Sequence, residues 1–146
     1  MKKTLALLTV MSAFTAAPAF AEDVIFNGTV DSACTITVTS PGSLTANAAV
    51  TELASGAAGA GTFSITANAS IFNLAVTDPT GWDAEPATTA TTFASSAFLL
   101  GDEATEGSDI SVPNGTTEGT VELTATATSG TFPNGTYTAT VDIICS

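Results

Sequence analysis

The residues best suited to chemistry are the carboxylates of one short acidic segment, GDEATEGSD at 101–109. Carboxylate oxygens are the ligands that Ca²⁺ prefers, and flexible loops usually supply them. The candidate ligands in this segment are Asp102, Glu103, Glu106 and Asp109. Because their spacing matches no EF-hand loop, we favour a solvated acidic loop and keep a Ca²⁺ site as the alternative.

Other catalytic chemistry lacks the residues that it needs. The chain has no histidine, and its only basic residues are Lys2 and Lys3. A serine or cysteine nucleophile would have no base to activate it, and zinc or copper would lack imidazole ligands. A pair of carboxylates could serve a glycosidase only if their separation in the fold suited that reaction. The sequence therefore predicts a protein that is not an enzyme and carries no cofactor.

The N-terminus has the layout of a cleavable secretory signal. Lys2 and Lys3 precede an apolar run, and Ala-Phe-Ala at 19–21 supplies the small residues that a signal peptidase requires. We expect residues 1–21 to be removed and residues 22–146 to form a single exported domain, in the periplasm and then at the cell surface or outside the cell. A retained membrane anchor is the alternative, but the apolar run is short for a bilayer. Because the sequence has no second long apolar run, the mature chain is not expected to be an integral membrane protein.

Loss of the signal would leave a strongly acidic chain. All 14 acidic residues and no Lys or Arg lie within residues 22–146. Without cations to neutralise phosphates, binding to nucleic acid is not expected, and anionic membrane surfaces are equally unsuitable partners. The same charge favours solubility, because the molecules repel one another.

The two cysteines, Cys34 and Cys145, lie close to the two ends of the predicted mature chain. An even number of cysteines in an exported protein indicates a disulfide bond, with two free buried thiols as the alternative. In the chain-entropy model, a bond that closes so long a loop stabilises the fold by about 4 to 5 kcal/mol.

Alternation of apolar with polar residues predicts half-buried antiparallel strands. The pattern is clearest in 24–38, 121–127 and 137–145, and it places the first strand at the very start of the mature chain. Pro-Asn-Gly at 133–135 is a strong turn signal, so residues 119–145 are predicted to form a hairpin.

The middle of the chain adds further short strands. Residues 61–67 and 71–77 are predicted to pair with each other, and Phe-Leu-Leu at 98–100 is predicted to be a short buried strand. The small residues of 45–61 indicate a loop with at most one helical turn. Many short strands between turn residues predict an all-β fold, an immunoglobulin-like antiparallel β-sandwich.

Four asparagines begin the Asn-x-Ser/Thr triplet that can accept an N-linked glycan. They are Asn27, Asn68, Asn114 and Asn134. Three of the four stand in Asn-Gly-Thr, and because Asn-Gly favours turns we prefer turns to glycans here. Trp82, the only tryptophan, could stack on a sugar, although the rim of a core is a commoner place for it.

Both ends of the chain carry motifs of a known family. FNGTVDSACTITV at 26–38 resembles the start of chaperone–usher fimbrial subunits, in which an apolar-x-Gly-x-Val step precedes a cysteine and a β-branched strand. FPNGTYTATVDI at 132–143 is similar to the final strand of such pilins and of the related spore-coat-U-like secreted domains. Together the two motifs cover about a fifth of the mature chain.

The resemblance implies an immunoglobulin-like sandwich that lacks its last strand and receives one by donor-strand exchange. The donor residues would be Val24, Phe26, Gly28 and Val30, and Val141 and Ile143 would line the acceptor groove. Partners would be other copies or related pilin subunits, with a periplasmic chaperone and an usher, and cell adhesion is a further expected role. In these families the second cysteine usually lies in the next strand, whereas a Cys34–Cys145 bond would join the first strand to the last and could close the sandwich. The alternative function is therefore a monomeric periplasmic or secreted β-sandwich binding module for Ca²⁺ or a glycan.

Overall fold

The computed structural model describes residues 25–146, so the predicted signal segment and Val24 lie outside the described residues. Regular structure in the described part is almost entirely β, as predicted, with one helix of four residues. The elements are β1 (Cys34–Ser40), β2 (Thr45–Ala46), β3 (Glu52–Ala54), α1 (Gly56–Gly59), β4 (Gly61–Ala67), β5 (Asn73–Thr77), β6 (Thr91–Leu99), β7 (Asp102–Thr105), β8 (Asp109–Ser111), β9 (Gly115–Ala127) and β10 (Asp142–Cys145).

The strands form two antiparallel sheets. The long strand β9 is the centre of the larger sheet: β4 and β3 pair with its two halves on one side, and β6 pairs with it on the other. At the periphery of this sheet β1 pairs with β4, β7 with β6, and β2 with β3. The smaller sheet has the order β10-β5-β8.

The two sheets enclose a common core within residues 31–146. Its buried residues come from both sheets: Phe63, Ile65, Ala67, Leu74, Val76, Ala97, Leu99, Ala104 and Val112. Alternate residues of each strand point into this core, which is the arrangement of a β-sandwich. The predicted all-β sandwich is therefore confirmed.

Six of the ten strands in the described residues follow the order of a constant-type immunoglobulin sandwich. Such a sandwich has strands A, B, E and D in one sheet and strands C, F and G in the other. Here β1-β4-β9-β6 correspond to A, B, E and D, and β5 and β10 correspond to C and F. Among the described residues no strand pairs with the remaining edge of β10, which is where strand G would lie.

Gly119 provides space for a core aromatic ring. It lies opposite Phe63 in the β4–β9 pair, and a Cβ at Gly119 would lie 2.8 Å from two carbons of the Phe63 ring and closer still to a third. Since real Cβ atoms do not approach so closely, any side chain here would displace Phe63 from the core.

We therefore expect Gly119→Ala to lower the free energy of unfolding by about 1 to 3 kcal/mol through overpacking. Urea denaturation followed by Trp82 fluorescence would measure the loss. Gly81→Ala is the matched control, because a Cβ at Gly81 meets nothing within 4 Å. Equal stability of the two variants would contradict the packing at Phe63.

Asp78 connects the two sheets by hydrogen bonds. It follows β5 of the smaller sheet, and its Oδ1 accepts hydrogen bonds from the backbone N–H of Ser95, at 2.6 Å, and from the Ser95 hydroxyl. Ser95 lies in β6 of the larger sheet and is only 4% exposed, so these two donors have little access to water. The Asp78 N–H in turn donates to Oε2 of Glu106 at 2.9 Å.

We expect Asp78→Ala to cost about 2 kcal/mol of stability, because it leaves buried donors of Ser95 without a partner. Asp78→Asn is the matched control: it keeps the accepting Oδ1 and is expected to lose less than half as much. Thermal melts of the three proteins would check this order. A variant Asp78→Ala as stable as Asp78→Asn would show that Ser95 is satisfied in another way.

The predicted hairpin over 119–145 is wrong. β9 and β10 belong to different sheets, and the partner of β10 is β5. The predicted pairing of 61–67 with 71–77 is wrong for the same reason, because β4 and β5 also lie in different sheets. Alternation identifies a strand and its buried face but not its partner, and in both places the chain crosses from one sheet to the other.

Three local predictions also need correction. The first strand begins only at Cys34, and residues 25–33 form no strand. The predicted loop at 45–61 contains β2 and β3 besides α1. The strand predicted at 98–100 is the end of the longer β6, and Leu100 lies outside it, 74% exposed and with a positive φ of 56°.

Within residues 25–146 no helix is both long enough and apolar enough to cross a membrane.

Candidate functional site: a groove at an open sheet edge

The outermost strands of the two sheets meet at one side of the sandwich. β1 ends the larger sheet and β10 ends the smaller sheet. A disulfide bond between Cys34 and Cys145 joins them, with 6.2 Å between the two Cα atoms. The predicted disulfide is therefore confirmed, and it connects the two edges of the sandwich.

Beyond the disulfide the two edges enclose a groove of about 580 Å³. Its floor is formed by Phe63, Val121 and Leu123, which belong to the larger sheet. One wall is the end of β1 with the loop that follows, 38–44, and the other wall is the segment 137–143. Val141 and Ile143, the two residues predicted for an acceptor groove, both line this second wall.

Aromatic packing and hydrogen bonds hold the wall formed by 137–143. The Tyr137 ring lies 4.9 Å from the Trp82 ring and 5.3 Å from the Phe132 ring, centroid to centroid. Thr138 exchanges backbone hydrogen bonds with Ala84 at 2.9 and 3.3 Å. Trp82 is half-buried in this cluster and donates its indole N–H to the Thr91 hydroxyl at 3.1 Å. Its role here is to support the wall.

The opposite wall leaves an inward apolar residue uncovered. Cys34, Ile36 and Val38 share one face of β1; the first two are half-buried, but Val38 is 68% exposed although it lines the groove. After a register shift between Val38 and Ser40 the chain turns towards α1, where the Ser43 N–H donates to the Gly59 carbonyl at 2.8 Å. The inner face of the larger sheet is thus incompletely covered at this end.

Among residues 25–146, no strand pairs with the outer edge of β10, so backbone groups along this edge have no partner strand there. Ser146 and Asn73 exchange two backbone hydrogen bonds, at 2.8 and 3.0 Å. Because hydrogen-bonded and non-hydrogen-bonded pairs alternate along an antiparallel ladder, the N–H and C=O groups of Ile144 face β5. Those of Ile143 and Cys145 face the open side. This edge can therefore accept another strand by backbone hydrogen bonding.

The groove carries no charged side chain, although the protein is very acidic. Its lining residues are Val38, Ser40, Pro41, Gly42, Ser43, Leu44, Ser55, Gly61, Thr62, Phe63, Val121, Leu123, Tyr137, Thr138, Ala139, Thr140, Val141 and Ile143. Removing a carboxylate from water costs several kcal/mol unless a cation pairs with it, and residues 25–146 contain no Lys or Arg. An uncharged, largely apolar occupant therefore suits this site.

Residues 25–30 do not belong to the unit formed by residues 31–146. They form no regular strand, and Ile25, Phe26 and Val30 are 77%, 92% and 89% exposed. At Gly28 an added Cβ would meet nothing within 4 Å. Among the predicted donor residues, Val24 lies outside the described part of the chain.

The structure separates the four candidate Ca²⁺ ligands. Asp102 and Glu103 are adjacent in β7 and therefore point to opposite faces of the strand. Glu106 accepts the backbone hydrogen bond of Asp78, and Asp109 begins β8. Within the described residues, no group of three or more acidic, cysteine or histidine side chains is placed to hold a metal ion.

Val141 and Ile143, which the resemblance suggested, line the groove, and most of its other residues were not predicted from the sequence. Val38 was the one available signal, because it is an apolar residue with inward alternation at the end of a first strand. Phe63, Leu123 and Tyr137 have patterns that any core residue could show, so nothing in the sequence distinguishes them as groove residues.

In comparisons with known proteins, no family model, no curated protein and no solved structure matched this chain.

Proposed function

We propose that this chain is an exported structural subunit of a fimbria, pilus or related surface coat that assembles by β-strand complementation. In this proposal residues 24–30 of one copy, termed the arm, occupy the groove of the next copy. The observation that carries the proposal is a groove with apolar residues beside an edge of β10 that no strand of residues 25–146 covers. An added strand would pair with the free backbone groups of Ile143 and cover Val38.

The length and alternation of the arm suit this groove. Seven extended residues span about 23 Å, and the wall from Tyr137 to Ile143 is also seven residues long. In an extended arm Val24, Phe26, Gly28 and Val30 share one face, so the bulky apolar side chains would enter the groove together. Gly28 suits a place where a backbone approaches closely.

Charge also favours the arm as the occupant. The segment VIFNGTV at 24–30 has no charged residue, and Asp23 and Asp31 flank it. Elsewhere two copies of so acidic a chain repel each other. An uncharged arm in an uncharged groove avoids that repulsion and buries no unpaired carboxylate.

The proposal also includes export from the cytoplasm and assembly with a chaperone and an usher. A disulfide bond is compatible with an oxidising compartment outside the cytoplasm. An apolar groove with an open strand edge is liable to pair wrongly before assembly, so a periplasmic chaperone and an usher of the kind that serve fimbrial subunits are the expected partners. Adhesion to a host or surface would be a property of the assembled fibre.

The volume of the groove supports a second candidate function. About 580 Å³ lies within the range of 300 to 1,000 Å³ that is typical of small-molecule sites. The chain would then be a monomeric secreted binding module, with a glycan or another uncharged ligand in the groove. For a Ca²⁺ module a chelator would lower the melting temperature, and we expect no shift.

Electron microscopy of the purified native protein, with SDS gels of unheated samples, distinguishes the two functions. Complementation predicts filaments and SDS-resistant ladders that collapse to one band on boiling. The control is a chain that lacks residues 22–30 behind the same signal, which should yield monomers only. Native material that is uniformly monomeric, although exported beside its own chaperone, would contradict the assembly proposal and favour the binding module.

A further inference from the structure

Three Asn-Gly dipeptides occur in the chain, and one of them differs from the other two in how the fold constrains it. They are Asn27–Gly28, Asn114–Gly115 and Asn134–Gly135. Gly115 begins β9, has a φ of +108°, and pairs with Ala67 of β4. Gly135 has a φ of +155° and lies against Pro86, since an added Cβ there would be 2.7 Å from the Pro86 Cγ. Both of these dipeptides are held by the fold.

Asn27–Gly28 has neither constraint. Both residues are exposed, they lie in no strand, and an added Cβ at Gly28 would meet nothing within 4 Å. The backbone torsion between the Asn27 Cα and its carbonyl carbon can therefore rotate, and the Gly28 nitrogen can approach the Asn27 side chain.

We propose that Asn27–Gly28 is a spontaneous deamidation site, active while the arm is free. The backbone nitrogen of Gly28 loses its proton and attacks Cγ of Asn27. The Cγ–Nδ2 bond breaks, ammonia leaves with a proton from water, and a cyclic imide closes between the two residues. Water then opens one of the two imide C–N bonds and gives either aspartate or isoaspartate at position 27. Glycine permits the attack because it has no side chain to block the approach.

The two products differ in their effect on strand pairing. Asn27 alternates with the donor residues Phe26 and Gly28, so in an inserted arm its side chain faces away from the groove. Aspartate at this position therefore leaves the inward face unchanged. Isoaspartate adds one methylene to the backbone and reverses the alternation that follows, so Phe26 and Val30 can no longer enter the groove together.

Insertion of the arm would in turn stop the reaction; this part rests on the proposed function. In a paired strand the Asn27 backbone is held extended, with ψ near +135°, and the geometry of attack is lost. Subunits that stay unassembled would then slowly acquire isoaspartate at position 27 and lose the ability to polymerise.

Peptide mapping by mass spectrometry tests the chemistry. The purified monomeric protein is incubated at pH 8 and 37 °C, and conversion at each Asn-Gly is followed by the mass gain of deamidation and by an isoaspartate-specific assay. We expect Asn27 to convert at least about tenfold faster than Asn114 or Asn134, because the latter two must first unfold locally. Equal rates at the three sites, or a slower rate at Asn27, would overturn the inference.

Two variants separate this inference from the proposed function. Asn27→Gln forms the imide far more slowly and should stay unmodified, while Asn27→Asp mimics the harmless product and should assemble as the unmodified protein does. If neither the unmodified protein nor the two variants assemble, the complementation proposal fails. The order of deamidation rates at the three Asn-Gly sites still decides whether Asn27 is a deamidation site. If assembly proceeds and Asn27 deamidates equally fast in filaments and in monomers, the protective role of insertion is wrong.

Discussion

Phe26→Asp will fold as the unmodified chain does but will not assemble, whereas Ile25→Asp will assemble. Phe26 is on the face of the arm that enters the groove in our proposal, and Ile25 is on the opposite face. Both are exposed in the described structure, at 92% and 77%, so neither substitution should affect folding. The contrast between the two adjacent positions isolates the alternation of the arm from its composition.

The expected magnitude follows from burial and charge. Losing the burial of a phenylalanine costs about 3 kcal/mol, and an unpaired carboxylate in an apolar groove adds a further penalty. Affinity for the groove should therefore fall at least about 100-fold for Phe26→Asp, against less than about threefold for Ile25→Asp. Titration of an arm-deleted chain with synthetic peptides of residues 22–32 measures both values. Equal losses at the two positions would contradict an extended, alternating arm.

Cys34→Ala with Cys145→Ala will lower the free energy of unfolding by about 4 to 5 kcal/mol. The bond joins residues 111 apart in sequence, so its removal releases most of the chain in the unfolded state. It also fastens β10, which has only four residues and, within residues 25–146, a single partner strand. We expect the C-terminal strand to detach first, with loss of the groove wall.

Denaturation in urea with and without a thiol reductant provides the control. The reductant should destabilise the unmodified protein by the same amount and leave the double variant unchanged. A double variant within 1 kcal/mol of the oxidised protein, a threshold far below the chain-entropy value, would show that the edges of the sandwich are held together by packing alone.

Much of the fold could be predicted from the sequence, because the alternation of apolar and polar residues indicates directly which side chains are buried. In β9 the residues Val121, Leu123 and Ala125 point inward, as predicted, and Glu122 and Thr124 take the other face. The two cysteines shared the inward alternation of their strands, and the structure joins them. These features depend on neighbours within one strand, so a single sequence contains them.

The partner of each strand could not be predicted from the sequence, because pairing depends on the path of the chain between the two sheets. The chain does bend at 133–135. The strand that follows, β10, then pairs with β5 and not with β9. In the same way the sequence of 24–30 alternates as a strand does, but residues 25–30 form no strand in the structure. In our proposal the arm pairs with another copy, so its sequence is expected to alternate although it pairs with no strand in residues 25–146 of its own chain.

The groove was predicted only through Val141 and Ile143, which a resemblance suggested. Its other residues come from five separate parts of the chain and meet only after the sandwich has folded. Val38 shows why a sequence pattern was insufficient: its alternation matches that of a buried residue, but its side chain is 68% exposed.

Residue-resolved amide hydrogen exchange of Ile143 and Cys145 tests the central claim most directly. In an arm-deleted monomer these two amides face the open edge and should exchange much faster than that of Ile144, which is bonded to β5. Adding a peptide of residues 22–32 should slow the Ile143 amide at least about tenfold and leave Ile144 nearly unchanged. An Ile143 amide that is already protected without the peptide, or that stays fast at saturating peptide, would contradict an open edge that accepts the arm.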